Sequence, residues 1–156
     1  MSKSLKRVVR VLQEAGIDAT PLEMTSETRT AQQAADAAGC HLDQIAKSII
    51  FRGEESNACV LFVTAGGNKV DSDLASQCAG ERLGKADATL IRSQTGFAIG
   101  GVAPIGHLNP IRAFWDPRLS EFDLVYAAAG TPRHIFPIAP ASLLMMSSAK
   151  IARFTS

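Results

Sequence analysis

The runs Ile45-Ala46-Lys47-Ser48-Ile49-Ile50-Phe51-Arg52 and Ala58-Cys59-Val60-Leu61-Phe62-Val63-Thr64, separated by the polar residues 53–57, decide the fold. Both are rich in β-branched and aromatic residues and are parted by turn-forming ones, so they predict two neighbouring strands joined as a hairpin at the core of a sheet. In the first run, strand alternation puts Ile45, Lys47, Ile49 and Phe51 on one face. That face is apolar except for Lys47, which makes Lys47 the most informative single residue of the chain.

Working outward, Leu5, Val8, Val9 and Leu12 recur at helical spacing and Gly16 follows as a stop, predicting an amphipathic helix over about residues 3–15. An extended stretch through Leu22 and Met24 leads to Thr30, which with Gln33 has the form of a capping box. The alanines at 31, 34, 35 and 38 then favour a helix ending at Gly39. Downstream, Asp71 caps a helix reaching Gln77, and a further helix covers Asp87 to Gln94 after a break at 80–84. Beyond the glycine-rich residues 96–107, short strands fall at 111–115, 124–128 and 135–138, and Pro140 opens a last helix through Met146. This irregular mixture, without strict βαβ alternation, predicts an α/β (α+β) fold in one domain spanning 1–156. Gly96, Gly100, Gly101 and Gly106 match neither GxGxxG nor GxxxxGK[ST], which disfavours a doubly wound nucleotide fold.

A chain of 156 residues can bury about 70% of its unfolded surface in one core. With 46% hydrophobic and 20% charged residues it falls outside the disordered, collagen-like and membrane classes. Its apolar runs fall far short of the roughly 20 residues a bilayer requires, and the first helix does not read as a signal peptide. A cytoplasmic protein with no membrane partner is expected. Cys40, Cys59 and Cys78 are odd in number and lack CxxC spacing or a paired histidine motif, so neither a disulfide framework nor a zinc site is expected, and no metal or cofactor. They read as small, buried or half-buried apolar residues. A net charge of +1 gives no general nucleic-acid footprint, so any RNA contact must be local. The densest basic cluster, Lys3, Lys6, Arg7 and Arg10, reads most simply as a solvated helix face.

An ammonium on the Lys47 face loses hydration and needs a counter-charge, a carbonyl or a path to water. A ligand can supply that partner, and so can a structural carboxylate or a snorkelling stem. In the loop from Gly96 to His107, the adjacent Gly100 and Gly101 let the backbone approach a ligand, and Pro104 restricts the following turn. Such a loop can hold a carbonyl, carboxylate or phosphate, or be a structural turn. His107 fits a general base, a ligand contact or a structural histidine. No GxSxG elbow, Cys–His pair or paired-carboxylate pattern is present, so the familiar nucleophile templates are missing.

At these same residues the chain resembles the YbaK/ProX family, which includes the editing domain inserted in many bacterial prolyl-tRNA synthetases and its free-standing relatives. The resemblance runs from Thr28-Arg29-Thr30-Ala31 and its alanine-rich helix, through Gln44 to Phe51, to the GxxxP loop from Gly100 to Pro104 and the turn Ala129-Gly130-Thr131-Pro132. It implies a mixed, barrel-like β-sheet covered by helices. It further implies a free-standing aminoacyl-tRNA deacylase, cleaving the ester between a wrong amino acid and the terminal adenosine without metal or covalent intermediate. Lys47, Gly100 and Gly101 would carry catalysis. Thr30, Ser48, Pro104, His107, Gly130 and Thr131 would bind substrate. The implied partners are the acceptor end of aminoacyl-tRNA and prolyl-tRNA synthetase. The stretch from Ala127 to His134 lacks the serine and later aspartate of the cysteinyl-tRNA branch. The expected substrate is therefore tRNA(Pro) carrying alanine or 2-aminobutyrate, with cysteine, serine or threonine as further options. Met24 and Ile45 are candidates for an apolar end of the pocket. The alternative is a non-catalytic tRNA or aminoacyl-adenosine binding module acting with a synthetase.

Overall fold

A computed structural model describes residues 1–27 and 30–156; Thr28 and Arg29 of the resemblance lie outside the described residues. The elements run α1 Lys3–Glu14, β1 Leu22–Glu23, α2 Ala31–Ala38, β2 Ile45–Gly53, β3 Cys59–Ala65, α3 Ser72–Ala79, β4 Leu83–Lys85, α4 Ala88–Thr95, β5 Arg112–Trp115, β6 Val125–Thr131, β7 His134–Ile138, α5 Pro140–Ser147 and β8 Lys150–Ile151. The strands form one mixed sheet in the order β1-β7-β6-β2-β3-β5-β8, with β4 pairing to β2. The β2–β3 hairpin is antiparallel from Ala46↔Ala65 to Arg52↔Cys59. The pairs β2–β6 and β3–β5 are parallel.

β3 is the middle of the molecule, with all seven residues buried. Cys59, Leu61 and Val63 face the larger core, which contains Leu5, Val8 and Leu12 of α1 together with Phe97, Trp115 and Phe136. Val60 and Phe62 face the other side, where the Phe62 ring packs on Phe114 and Phe154 at centroid distances of 5.3 and 4.9 Å. Covering both faces of a strand in this way explains why its sequence is a continuous apolar run rather than an alternation.

The helix starts follow the side chains that cap them. Thr30 and Gln33 form the reciprocal capping box of α2, Asp71 accepts from Asp73 and Leu74 N–H, and Asp87 accepts from Leu90 N–H. Each such cap contributes about 1 kcal/mol. Two short strands escape the sequence reading. β4, at residues read as a break, is three residues long and includes Gly84; it pairs with the end of β2. β8 has only Lys150 and Ile151 paired to β5. Neither is long enough to show a period. β6 runs on to Thr131, three residues past the expected end, through an irregularity between Ala128 and Thr131. Cys59 is buried and Cys40 and Cys78 are half-buried, all three free. No helix among the described residues is long and apolar enough to cross a membrane.

Candidate functional site

β2 is flanked on one edge by β3 along its length, but on the other edge by β6 only at Ile45 and Ala46 and by β4 only from Phe51 to Gly53. The sheet is thus parted over residues 47–50. Gly53 donates its N–H to Ala58 O on the β3 side, so by strand alternation the main-chain groups of Ser48 and Ile50 turn to the opposite edge, into the gap. A cleft of about 470 Å³ opens there, lined by α2, β2, β4, α4, β6, β7 and the loop after α4. Its polar lining is Thr30, Lys47, Ser48, Lys85 and Tyr126, and its apolar lining includes Ile45, Ile50, Ile91, Val102 and Ile135. Among the described residues no acidic side chain lines it.

Lys47 Nζ donates to Gly66 O at 3.2 Å. Burial lowers the Lys47 pKa, while Asp116 and Asp43 pull it the other way. The turn that presents Gly66 O is held by these same two carboxylates. Asp43 accepts from Gly67 N–H at 2.8 Å and from Arg118 Nε at 3.0 Å. Asp116, only 2% exposed, accepts from Ala65 N–H, Asn68 Nδ2 and Arg118 N–H. Neither carboxylate is marked in sequence: Asp43 lies in the single 3₁₀ turn Leu42–Gln44, and Asp116 caps the next one, Pro117–Glu121.

Ser48 Oγ is, among the described residues, the one buried side-chain nitrogen or oxygen with no hydrogen-bond partner. Leaving a buried hydroxyl unsatisfied costs about 1–3 kcal/mol, which a ligand hydrogen bond would offset.

Of the expected site residues, Lys47, Ser48, Thr30 and Gly100 meet at this cleft, and Gly101, Pro104, His107, Gly130 and Thr131 do not line it. Gly101 and Gly130 act through packing. The Gly101 N–H is taken by Ala98 O at 3.1 Å, and a Cβ at Gly101 would stand 2.7 Å from the backbone C and Cα of Thr131. At Gly130 a Cβ would stand 2.8 Å from Ser4 O and 3.0 Å from the Phe97 ring. The loop and the β6–β7 turn therefore touch backbone to backbone, which seats Gly100 at the cleft. Pro104 and His107 line a separate depression of about 420 Å³ with Met146 and Ser148. Thr131 lines a third, of about 520 Å³, beside Ser2 and His134. Ile45 lines the cleft, and Met24 is buried elsewhere. Among the described residues no three His, Cys, Asp or Glu side chains gather as metal ligands would.

His107 braces the loop from behind: its Nε2–H donates to Ala103 O at 2.7 Å, and its ring meets Phe97 edge-on. Burial, with a smaller contribution from the Arg7 charge, holds its pKa below the ordinary 6.5, although the bond to Ala103 opposes this. Unfolding therefore takes up a proton at low pH. The linked stability is fully present above pH 6.5 and is lost as pH falls below it. A melting temperature followed from pH 7.5 to 5 should fall more steeply for the native protein than for His107→Gln. Equal slopes would remove His107 as the cause.

The aminoacyl-tRNA editing domain model matches residues 25–145. YwhH of Bacillus subtilis (strain 168), itself uncharacterised, is 34% identical over 129 residues, covering 83% of this chain and 82% of that protein. The crystal structure of a candidate trans-editing enzyme for prolyl tRNA synthetase superposes with a TM-score of 0.92 at 38% identity, over 100% of this chain and 99% of that one. The hypothetical protein APE2540 shares the fold, with a TM-score of 0.87 at 23% identity over 96% and 99% of the two chains. The chain belongs to the aminoacyl-tRNA editing domain family, within its YbaK/ProX group.

Proposed function

We propose that this protein is a free-standing deacylase that hydrolyses tRNA(Pro) carrying a small non-cognate amino acid, alanine or 2-aminobutyrate first, with cysteine, serine and threonine as poorer substrates. The observation that carries the reading is the cleft itself, where Lys47, the unpaired Ser48 hydroxyl and the Gly100 loop meet at a gap in the sheet. Two lysines, Lys47 and Lys85, and no carboxylate among the described lining residues favour an anionic guest, such as the terminal nucleotide of tRNA. An aminoacyl ester is already activated by its α-ammonium group and has a ribose hydroxyl beside it to assist water. Orientation of the ester by the Gly100 backbone and stabilisation of the developing oxyanion by Lys47 are then sufficient, and no protein nucleophile is required. The apolar lining suits a short side chain. Because one methylene changes affinity by only about 10- to 200-fold, proline must be excluded by the shape of the cleft. The same cleft could take the acceptor end alone, with prolyl-tRNA synthetase choosing the tRNA.

A panel of radiolabelled tRNAs tests this. Multiple-turnover deacylation of alanyl- or 2-aminobutyryl-tRNA(Pro) is expected, with prolyl-tRNA(Pro) largely spared. Hydrolysis no faster than the spontaneous rate on alanyl, 2-aminobutyryl, cysteinyl, seryl and threonyl substrates would overturn the deacylase reading and leave a non-catalytic binding module.

A further inference from the structure

Arg7 stands apart from the other basic residues of α1. Lys3, Lys6 and Arg10 are exposed, whereas Arg7 is half-buried and turned toward the loop. Its Nε donates to Gly106 O at 2.7 Å and its Nη2 to Thr95 O at 3.4 Å. These carbonyls mark the two ends of the loop that carries Gly100 to Pro104. Between the two contacts the guanidinium lies 4.4 Å from the centroid of the Phe97 ring. Phe97 is fully buried and is the ring against which Gly130 packs. At the start of the loop Gly96, with φ +82°, leaves room for this side chain: a Cβ there would fall 2.6 Å from both Arg7 Nη2 and Leu108 Cγ. A planar fork can bridge two carbonyls and stack on a ring at once, which an ammonium cannot do.

We propose that Arg7 is a positioning residue for the site: from α1, outside residues 25–145 matched by the editing-domain model, it clamps both ends of the 96–106 loop and so fixes the Gly100 backbone at the mouth of the cleft. The proposal rests on the deacylase reading for its consequence, and on the geometry alone for the clamp. Arg7 lines no part of the cleft, so it acts through the loop rather than on substrate. The charge pattern of α1 conceals this role, since three of its four basic residues are solvated.

The test compares native protein, Arg7→Met and Arg7→Lys. Amide hydrogen exchange in peptides covering residues 96–107 should accelerate about tenfold in Arg7→Met, while peptides from β2 and β3 exchange as in the native protein. On the misacylated tRNA that the native protein hydrolyses, kcat should fall about 30-fold with KM changed less than about threefold, because loss of loop geometry weakens the transition state more than ground-state binding. Arg7→Lys, which can reach one carbonyl but not bridge two, should lie between. A folded Arg7→Met with native loop exchange overturns the clamp. Faster loop exchange with native kcat overturns the positioning role. Inactivity of the native protein on every substrate overturns the deacylase reading, and the positioning role with it. That outcome is distinct, because in the other two the native protein is active.

Discussion

Lys47→Ala should lower the deacylation rate by about 100-fold or more, the loss expected for one preorganised electrostatic contact in a water-poor site. Its effect on folding should be small. Among the described residues the Lys47 side chain makes one hydrogen bond, to Gly66 O, worth about 1 kcal/mol, and truncation also relieves the burial that depresses its pKa. The melting temperature of a chain this size should move by no more than about 2–4 °C. Both quantities are to be measured on one preparation, because a purely structural lysine gives the reverse pattern, with stability falling and residual turnover per folded molecule unchanged. Near-normal turnover in a folded Lys47→Ala protein would take Lys47 out of the active site, and with it the principal electrostatic argument for catalysis.

Gly101→Ala should be nearly as damaging by a different route. The new methyl group would stand 2.7 Å from backbone atoms of Thr131, and backbone cannot swing aside as the end of a flexible side chain can. Either the loop lifts or the end of β6 shifts. Overpacking of this kind costs about 1–3 kcal/mol. A displacement of about 1 Å at Gly100 can cost about 100-fold in rate even though the substituted residue does not line the cleft. Melting and steady-state kinetics should therefore both change, unlike in Lys47→Ala. Native kinetics in Gly101→Ala would mean that the seating of the loop on Thr131 does not matter to the site.

The hairpin, the helix caps and the order of elements are legible in the sequence because each follows from a local rule: branched residues on strands, Asp71, Asp87 and Thr30 at helix starts. Lys47 is legible as a charge on an apolar face, and the Gly100–Gly101 pair as a place of close backbone approach. Composition and spacing do not reveal which neighbour is approached. For Gly101 it is the Thr131 backbone, and its N–H is already engaged by Ala98. Ser48 gains its significance from the parting of β6 and β4, which depends on β4, a strand too short to recognise. Asp43 and Asp116 steady the turn beside Lys47 from positions 73 residues apart in sequence, counting 116 minus 43, so no window of sequence contains their relation. Arg7 was hidden for a similar reason: its partners, Thr95 and Gly106, lie 88 and 99 residues away.

The parting of the sheet beside β2 also bears on how the molecule comes into being. Parallel partners need long crossovers, and β2 meets β6 through Ile45↔Tyr126 and Ala46↔Ala127. During synthesis the hairpin can close as soon as β3 emerges, and β4 then covers the Phe51–Gly53 end of its second edge, but the Ile45–Ala46 end must wait for about 60 more residues, which at about 5–20 residues per second takes several seconds. Over that interval an apolar strand offers unpaired main-chain groups to any passing chain, the situation in which intermediates associate. The cleft has no precursor in this sequence of events, because its walls come from residues as distant as Thr30 and Ile135. Fragments and partly folded forms should therefore be inactive, and activity should appear in step with the last long-range contacts.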